Sequence, residues 1–275
     1  MRDYATRIRD EFSRQAETMA SSAVFTDAQI LTRIRKAASM TRHSQVLDLA
    51  CGPGIVSEVL AHDAGAVVAC DLTPAMLIRA QRRCAEAGLT NVHCTLGHVE
   101  ALPFGDETFD VVVNRSALHH FPLPAVALAE MSRVTRASGR LVIVDVVASE
   151  EPEDSALHNA LEVLRDPSHM RMLPQSEILT HLQDSGLEVR ATEVWTNRRE
   201  FDEWLQITNA TDRIAPLRAV MTALAKAGVR AGMNLHLEGD TVVFEHRSLL
   251  IVAEKRQTGT ESGLEDVCKA RDSGG

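Results

Sequence analysis

The sequence predicts an α/β fold organised on a doubly wound, parallel sheet. Short β-branched apolar runs of strand length recur between Ser44 and Val147: VLDLA (46–50), AVVAC (66–70), VHCTL (92–96), FDVVVN (109–114) and GRLVIVDVV (139–147). Helical patterns fill the intervals at 55–62, 74–87 and 124–136. Strands alternating with helices read as βαβ units, whose parallel strands are buried on both faces.

Residues 1–40 read as two helices. Ile8, Phe12, Ala16 and Met19 recur at three- or four-residue intervals, then Ile30, Leu31 and Ile34 do the same. Ser21, Ser22 and Asp27 mark the break, with Thr26 as the expected cap of the second helix. Beyond Val147 come an acidic turn (EEPED, 150–154), helices at 155–165 and 175–185, and a strand at 187–195. Helices near 200–208 and at 214–228 follow, then a turn at Glu238-Gly239-Asp240 and a long final strand at about 241–254. The amphipathic 214–228 segment is read as packing onto the sheet, in preference to a dimer or membrane face. The polar, Gly/Ser-rich end, 256–275, is expected to be disordered.

Composition excludes several functions. Of 275 residues 45% are hydrophobic and 24% charged, which is a globular balance. A net charge of −9 without a basic block disfavours a nucleic-acid partner, and 4% aromatics leave little for base stacking. No run approaches a membrane span and MRDYATRIRDEF lacks a signal core, so the reading is a cytoplasmic protein with no stable membrane insertion. Cys51, Cys70, Cys84, Cys94 and Cys268 form no CxxC pair and have no His at ligand spacing, so reduced thiols are expected and no metal site is assigned.

The most informative segment is VLDLACGPG, ending at Gly54. A buried strand runs into a small-residue loop, where Gly52 and Gly54 can take positive φ and admit a ligand against the backbone. Asp71 ends the second apolar strand, where an acid can accept from both hydroxyls of a ribose. The loop is not G-x-G-x-x-G, and Asp48 would repel a pyrophosphate. A nucleoside joined to a zwitterionic amino acid suits both acids better than a dinucleotide does.

VLDLACGPG resembles motif I of the class I S-adenosylmethionine (SAM) methyltransferases. The similarity runs through VVACDLTPAML, GHVEALPFGDETFDVVVNRSALHHF and GRLVIVD, so it covers roughly 44–147. The branch it resembles most is that of the ubiquinone/menaquinone C-methyltransferases, the type 11 group. The resemblance implies a Rossmann-like, seven-stranded sheet with helices on both faces and an antiparallel last strand. It further implies an N-terminal helical lid (1–40), a SAM-binding domain (41–255) and a substrate-side insertion (148–240). By position, Asp48, Ala50, Gly52 and Gly54 would surround the methionine moiety, Asp71 would hold the ribose, and Leu72 and Met76 would pack beside ribose and adenine. His98 stands where the family usually has Asp, so adenine recognition falls to its ring, to the Val99 backbone, or not to His98 at all. Asn114 would offer its carbonyl to the ammonium. Met19 stands where the family's lid often carries Tyr.

The implied reaction is methyl transfer to a small organic acceptor, O-, N- or C-linked, in quinone or secondary metabolism, with S-adenosylhomocysteine as product. Two rivals stay open: a member of the fold using SAM for another reaction, and a non-catalytic SAM-binding partner. His119 and His120 are the candidate bases, each weighed against a surface or helix-capping role, and as neighbours they are not expected both to point inward. Asp145, inside an apolar strand, is expected to be structurally satisfied. His158 and His169 are weaker candidates. Monomer and homodimer are both consistent with the sequence.

Overall fold

Eight strands form one sheet in the computed structural model, which describes residues 2–22, 24–206, 208 and 213–256. They are β1 (Gln45–Leu49), β2 (Ala66–Asp71), β3 (Val92–Leu96), β4 (Phe109–Arg115), β5 (Thr135–Val147), β6 (Leu187–Glu200), β7 (His236–Glu238) and β8 (Thr241–Lys255). The order is β3-β2-β1-β4-β5-β8-β6. The first five strands are parallel, and β8 runs antiparallel to both β5 and β6. Seven strands thus lie on the path, as the resemblance implies. The eighth, β7, is the short arm of a hairpin with β8, closed at the predicted turn by Gly239 at φ +60°.

Helices α1 (Arg2–Ser21), α2 (Ala28–Ala38), α3 (Ile55–Ala61), α4 (Pro74–Glu86), α5 (Pro124–Val134), α6 (Pro152–Arg165), α7 (Gln175–Asp184), α8 (Phe201–Gln206) and α9 (Ile214–Lys226) complete the described fold. Successive side chains of a strand point to opposite faces, so each central strand feeds two cores. Leu47, Leu49, Val112, Leu141 and Ile143 pack against Leu128 and Met131 of α5 and Leu182 of α7. Val46, Val111, Val113, Val142 and Val144 pack against Ile34 of α2 and Leu60 of α3. A third core, around Phe201, Trp204, Leu217, Met221 and Phe244, joins α6, α8 and α9 to β8. The 214–228 segment therefore packs inward, as expected.

Some boundaries differ from expectation. The cap of α2 is Asp27 rather than Thr26, because its carboxylate accepts from the amides of Gln29 and Ile30. The strand expected to end at Trp195 continues to Glu200, paired with β8 from Lys255 to Val243. Residues 257–275, which include Cys268 and nearly all of the expected disordered tail, lie outside the described residues. Among the described residues no helix is long and apolar enough to cross a membrane.

After β1 the chain builds outward through β2 to β3, then returns to the other side of β1 as β4. That reversal opens a crevice beyond the carboxyl ends of β1 and β4, where ligands of doubly wound sheets bind.

Candidate active site

An open cleft occupies this crevice. Asp48, Ala50, Gly52, Asp71, Leu72, Met76, His98, Val99 and His120 all line it. The loop between β1 and α3 alternates left-handed residues, with Ala50 at φ +54°, Gly52 at +53° and Gly54 at +80°. A Cβ at Gly52 would meet nothing within 4 Å, so the space above it is free for a ligand. A Cβ at Gly54 would sit 2.7 Å from both Cα and Cβ of Ala80. Gly54 thus serves the close approach of α3 to α4 and does not line the cleft.

Asp71 ends β2 with its carboxylate oriented by two backbone amides. Oδ2 accepts from Gly52 N at 2.9 Å and Oδ1 from Thr73 N at 2.8 Å. Burial raises its pKa against these donors. Asp48 lies deeper and accepts from Ser57 Oγ at 2.5 Å; burial pushes it up to about 7. Its repulsion of a phosphate is accordingly weaker than a fully ionised carboxylate would exert.

Asn114 lies beneath the cleft rather than in its wall. Its Nδ2 donates to Leu49 O at 2.8 Å, tying β4 to the end of β1, while Oδ1 is buried without a hydrogen-bond partner among the described residues. Its neighbours Arg115, Ser116 and Ala117 reach the cleft instead. His98 lines the cleft and accepts through Nδ1 from Glu100 N at 3.3 Å.

Helix α1 lies across the opening. Tyr4, Ile8, Phe12 and Met19 line the cleft from above, and Met19 packs with Ala16 on Met76. Glu17 pairs with Arg79, and Arg83 donates to Ala20 O at 2.7 Å, pinning α1 to α4. Arg115 donates to Phe25 O at 2.7 Å and Val24 O at 3.1 Å, holding the link between α1 and α2.

A second cavity adjoins the cleft and shares Phe12, Met19, Phe25, Ser116 and His120 with it. Its lining is far more polar, with His119, His169, Glu162, Arg165, Asp166 and His246. The tight 3-10 turn Leu118–His120 brings both neighbouring histidines to this wall, contrary to the expectation that only one can point inward. Three residues per turn separate successive side chains by about 120°, and ring centroids 4.2 Å apart place both imidazoles on the cavity.

His119 Nδ1 lies 2.5 Å from Asp145 Oδ1. Burial disfavours the imidazolium, but the Asp145 carboxylate outweighs it and the net shift is upward. Asp145 Oδ2 also accepts from Leu118 N at 2.7 Å, so its charge is compensated and its pKa falls. His120 bonds through Nδ1 to Ser168 O at 2.9 Å, and burial with the His119 charge pushes it down to about 4. His169 bonds through Nε2 to Asn159 Oδ1 at 2.9 Å and falls to about 3 for the same reasons.

Several lining residues escaped the sequence reading: Tyr4, Arg115 and Ser116 in the cleft, and Glu162, Arg165, Asp166, Arg199, Trp204 and His246 in the cavity. One signal was present. His158 and Glu162 are four apart on a predicted helix and so share a face. His246 sits in an apolar strand that carries no comparable mark.

Comparison with known proteins agrees with this architecture. The methyltransferase domain model matches residues 47–143. An uncharacterized methyltransferase of Bacillus subtilis, YcgJ, is 30% identical over 250 residues, spanning 89% of this chain and 98% of its own. The crystal structure of YcgJ matches with a TM-score of 0.78 at 28% identity, over 83% of this chain and 99% of that one. Demethylmenaquinone methyltransferase of Thermobifida fusca is 40% identical over 100 residues, 36% of this chain and 42% of its own. Geranyl diphosphate methyltransferase in complex with SAM shares the fold, with a TM-score of 0.58 at 17% identity over 82% and 84%. A switch-point cleft on this strand order, beside a polar cavity, is the build of a class I transferase. The chain belongs to the methyltransferase-domain family of that class.

Proposed function

We propose that the protein uses S-adenosylmethionine to methylate a small organic acceptor held in the second cavity. One observation carries the reading: the nucleoside-type cleft and the histidine-lined cavity meet along a common wall at Ser116 and His120. The chain's residues fit the cofactor. Asp71, oriented by two amides, would accept from the ribose hydroxyls, Gly52 leaves open space, and Leu72 and Met76 offer apolar walls. When bound, SAM supplies a methyl group already activated on a sulfonium.

The chain's own work is to align the two molecules and exclude water. Helix α1, as a lid, covers the cleft through Phe12 and Met19, and residues 148–240 supply much of the acceptor side. His119 with Nδ1 turned to Asp145 keeps Nε2 for a proton from the acceptor, and Asp145 stabilises the imidazolium that results. We place the enzyme in the cytoplasm, on the strength of thiols that form no disulfide among the described residues.

Thermal-shift titration tests the cofactor: SAM and S-adenosylhomocysteine should stabilise the protein and NAD should not, and the reverse pattern rejects the reading. Label from methyl-labelled SAM should then appear in a metabolite. A protein that binds SAM yet transfers no label to a metabolite extract would be a non-catalytic binder.

A further inference from the structure

We propose that His158, Glu162 and His246 form a site for one divalent first-row transition-metal ion in the wall of the second cavity. The three donors come from α6 and β8, and all are buried. One ligand atom from each lies within 4.8 Å of the others, with Glu162 Oε1 2.9 Å from His246 Nε2 and 3.9 Å from His158 Nε2. Donors bound at about 2.0–2.2 Å in a tetrahedral shell stand roughly 3.4 Å apart, so small side-chain adjustments close the set.

The unpartnered imidazole is the second observation. His158 is 2% exposed, and neither of its ring nitrogens has a hydrogen-bond partner among the described residues. The contact of His246 Nε2 with Glu162 Oε1 involves only two of the three residues and leaves the His158 ring unsatisfied. Buried polar groups without partners are costly, and a metal ion would satisfy one of the two ring nitrogens through its lone pair. Arg165 lies close by, and its positive charge opposes a cation. Its Nε and terminal nitrogen, however, both bond Glu162 Oε2 at 2.9 Å, which fixes the carboxylate and leaves Oε1 toward the two histidines. That is the arrangement by which an outer group orients a ligand.

Two imidazoles and a single carboxylate favour zinc, iron, cobalt or nickel over magnesium or calcium, which want more oxygen donors. Three protein ligands leave coordination positions open, and Glu162 and His246 both line the cavity. The ion would therefore present those positions to whatever molecule the cavity holds, as a Lewis acid for an oxygen donor. The site stands apart from the methyl-transfer reading, and metal binding can be read without SAM.

The test is titration of the chelator-stripped full chain with Co²⁺, followed by visible absorption, with Zn²⁺ as competitor. One equivalent should bind with d–d bands and no thiolate charge-transfer band, and Zn²⁺ should displace it. His158→Ala, shown folded by circular dichroism, should weaken Co²⁺ binding by about 100-fold or more, the upper range for disturbing even an orienting group. Should that variant not fold, Zn²⁺ added to the ¹⁵N-histidine-labelled parent should shift the His158 and His246 ring resonances. No stoichiometric binding, a thiolate band, unchanged affinity in folded His158→Ala, or unmoved rings in the parent would each overturn the site.

Discussion

His119 Nδ1 and Asp145 Oδ1 stand 2.5 Å apart, and this pair sets His119 apart from the two histidines clustered with it. His119 lies 4.2 Å from His120 and 5.5 Å from His169, centroid to centroid. Three imidazolium ions at that spacing would repel strongly. The cluster resolves the conflict by giving one ring the carboxylate and the other two a backbone or amide oxygen. His119 is raised, while His120 and His169 fall to about 4 and 3 and stay neutral at pH 7.

The pair sets a pH signature. If His119 takes the acceptor's proton, its unprotonated form is the active one, so kcat/KM should rise with pH. Because the folded pKa is raised, the midpoint should lie above the ordinary value of about 6.5. Asp145→Asn removes the charge that raises it and should move the limb to lower pH. His119→Ala should flatten the limb and lower kcat by about 10². Full kcat with an unmoved limb in His119→Ala points to an acceptor that arrives already nucleophilic.

Cofactor affinity should depend on Asp71. A hydrogen bond to a charged group contributes about 1.5–3 kcal/mol, so Asp71→Ala should weaken SAM binding by about tenfold or more, read by calorimetry. The same change deprives Gly52 N and Thr73 N of their acceptor. Thermal stability should therefore fall as well. Asp71→Asn keeps one acceptor oxygen and should be milder in both respects.

Two glycines in one loop should fail in different ways. Gly52→Val fills open space at φ +53° and should abolish SAM binding while the circular dichroism spectrum stays close to the parent's. Gly54→Ala places a methyl 2.7 Å from Ala80 at φ +80° and should cost about 2–4 kcal/mol of stability in denaturant unfolding. Equal effects on stability would mean that Gly52 is also a packing residue.

Arg115 should hold helix α1 and the link that follows it. Removing its guanidinium in Arg115→Ala leaves the carbonyls of Val24 and Phe25 without their charged donor. Amide exchange at residues 24–27 should quicken by about tenfold or more, since each bond contributes on the order of 1 kcal/mol or above. Release of bound SAM should quicken with it. Unchanged exchange by mass spectrometry would show that α1 is held by its other contacts, those of Arg79 and Arg83 among them.

The alternation of apolar strands and helices, the VLDLACGPG loop and Asp71 were legible in the sequence by itself, because their signals are local. Strand and helix periodicity span a few residues, and a loop-plus-acid motif fixes its own backbone. The same locality marked His119 and His120 as candidates beyond β4. Only the tertiary structure decided what those residues face. That Asn114 lies under the cleft, that Gly54 serves Ala80, and that Asp145 commands His119 all depend on which strand ends where along its neighbour. The second cavity shows the limit most clearly. Glu162 on α6 and His246 on β8 come 2.9 Å apart across more than eighty residues of chain. Their meeting is set by the antiparallel entry of β8 beside β5, and no local pattern encodes long-range strand pairing.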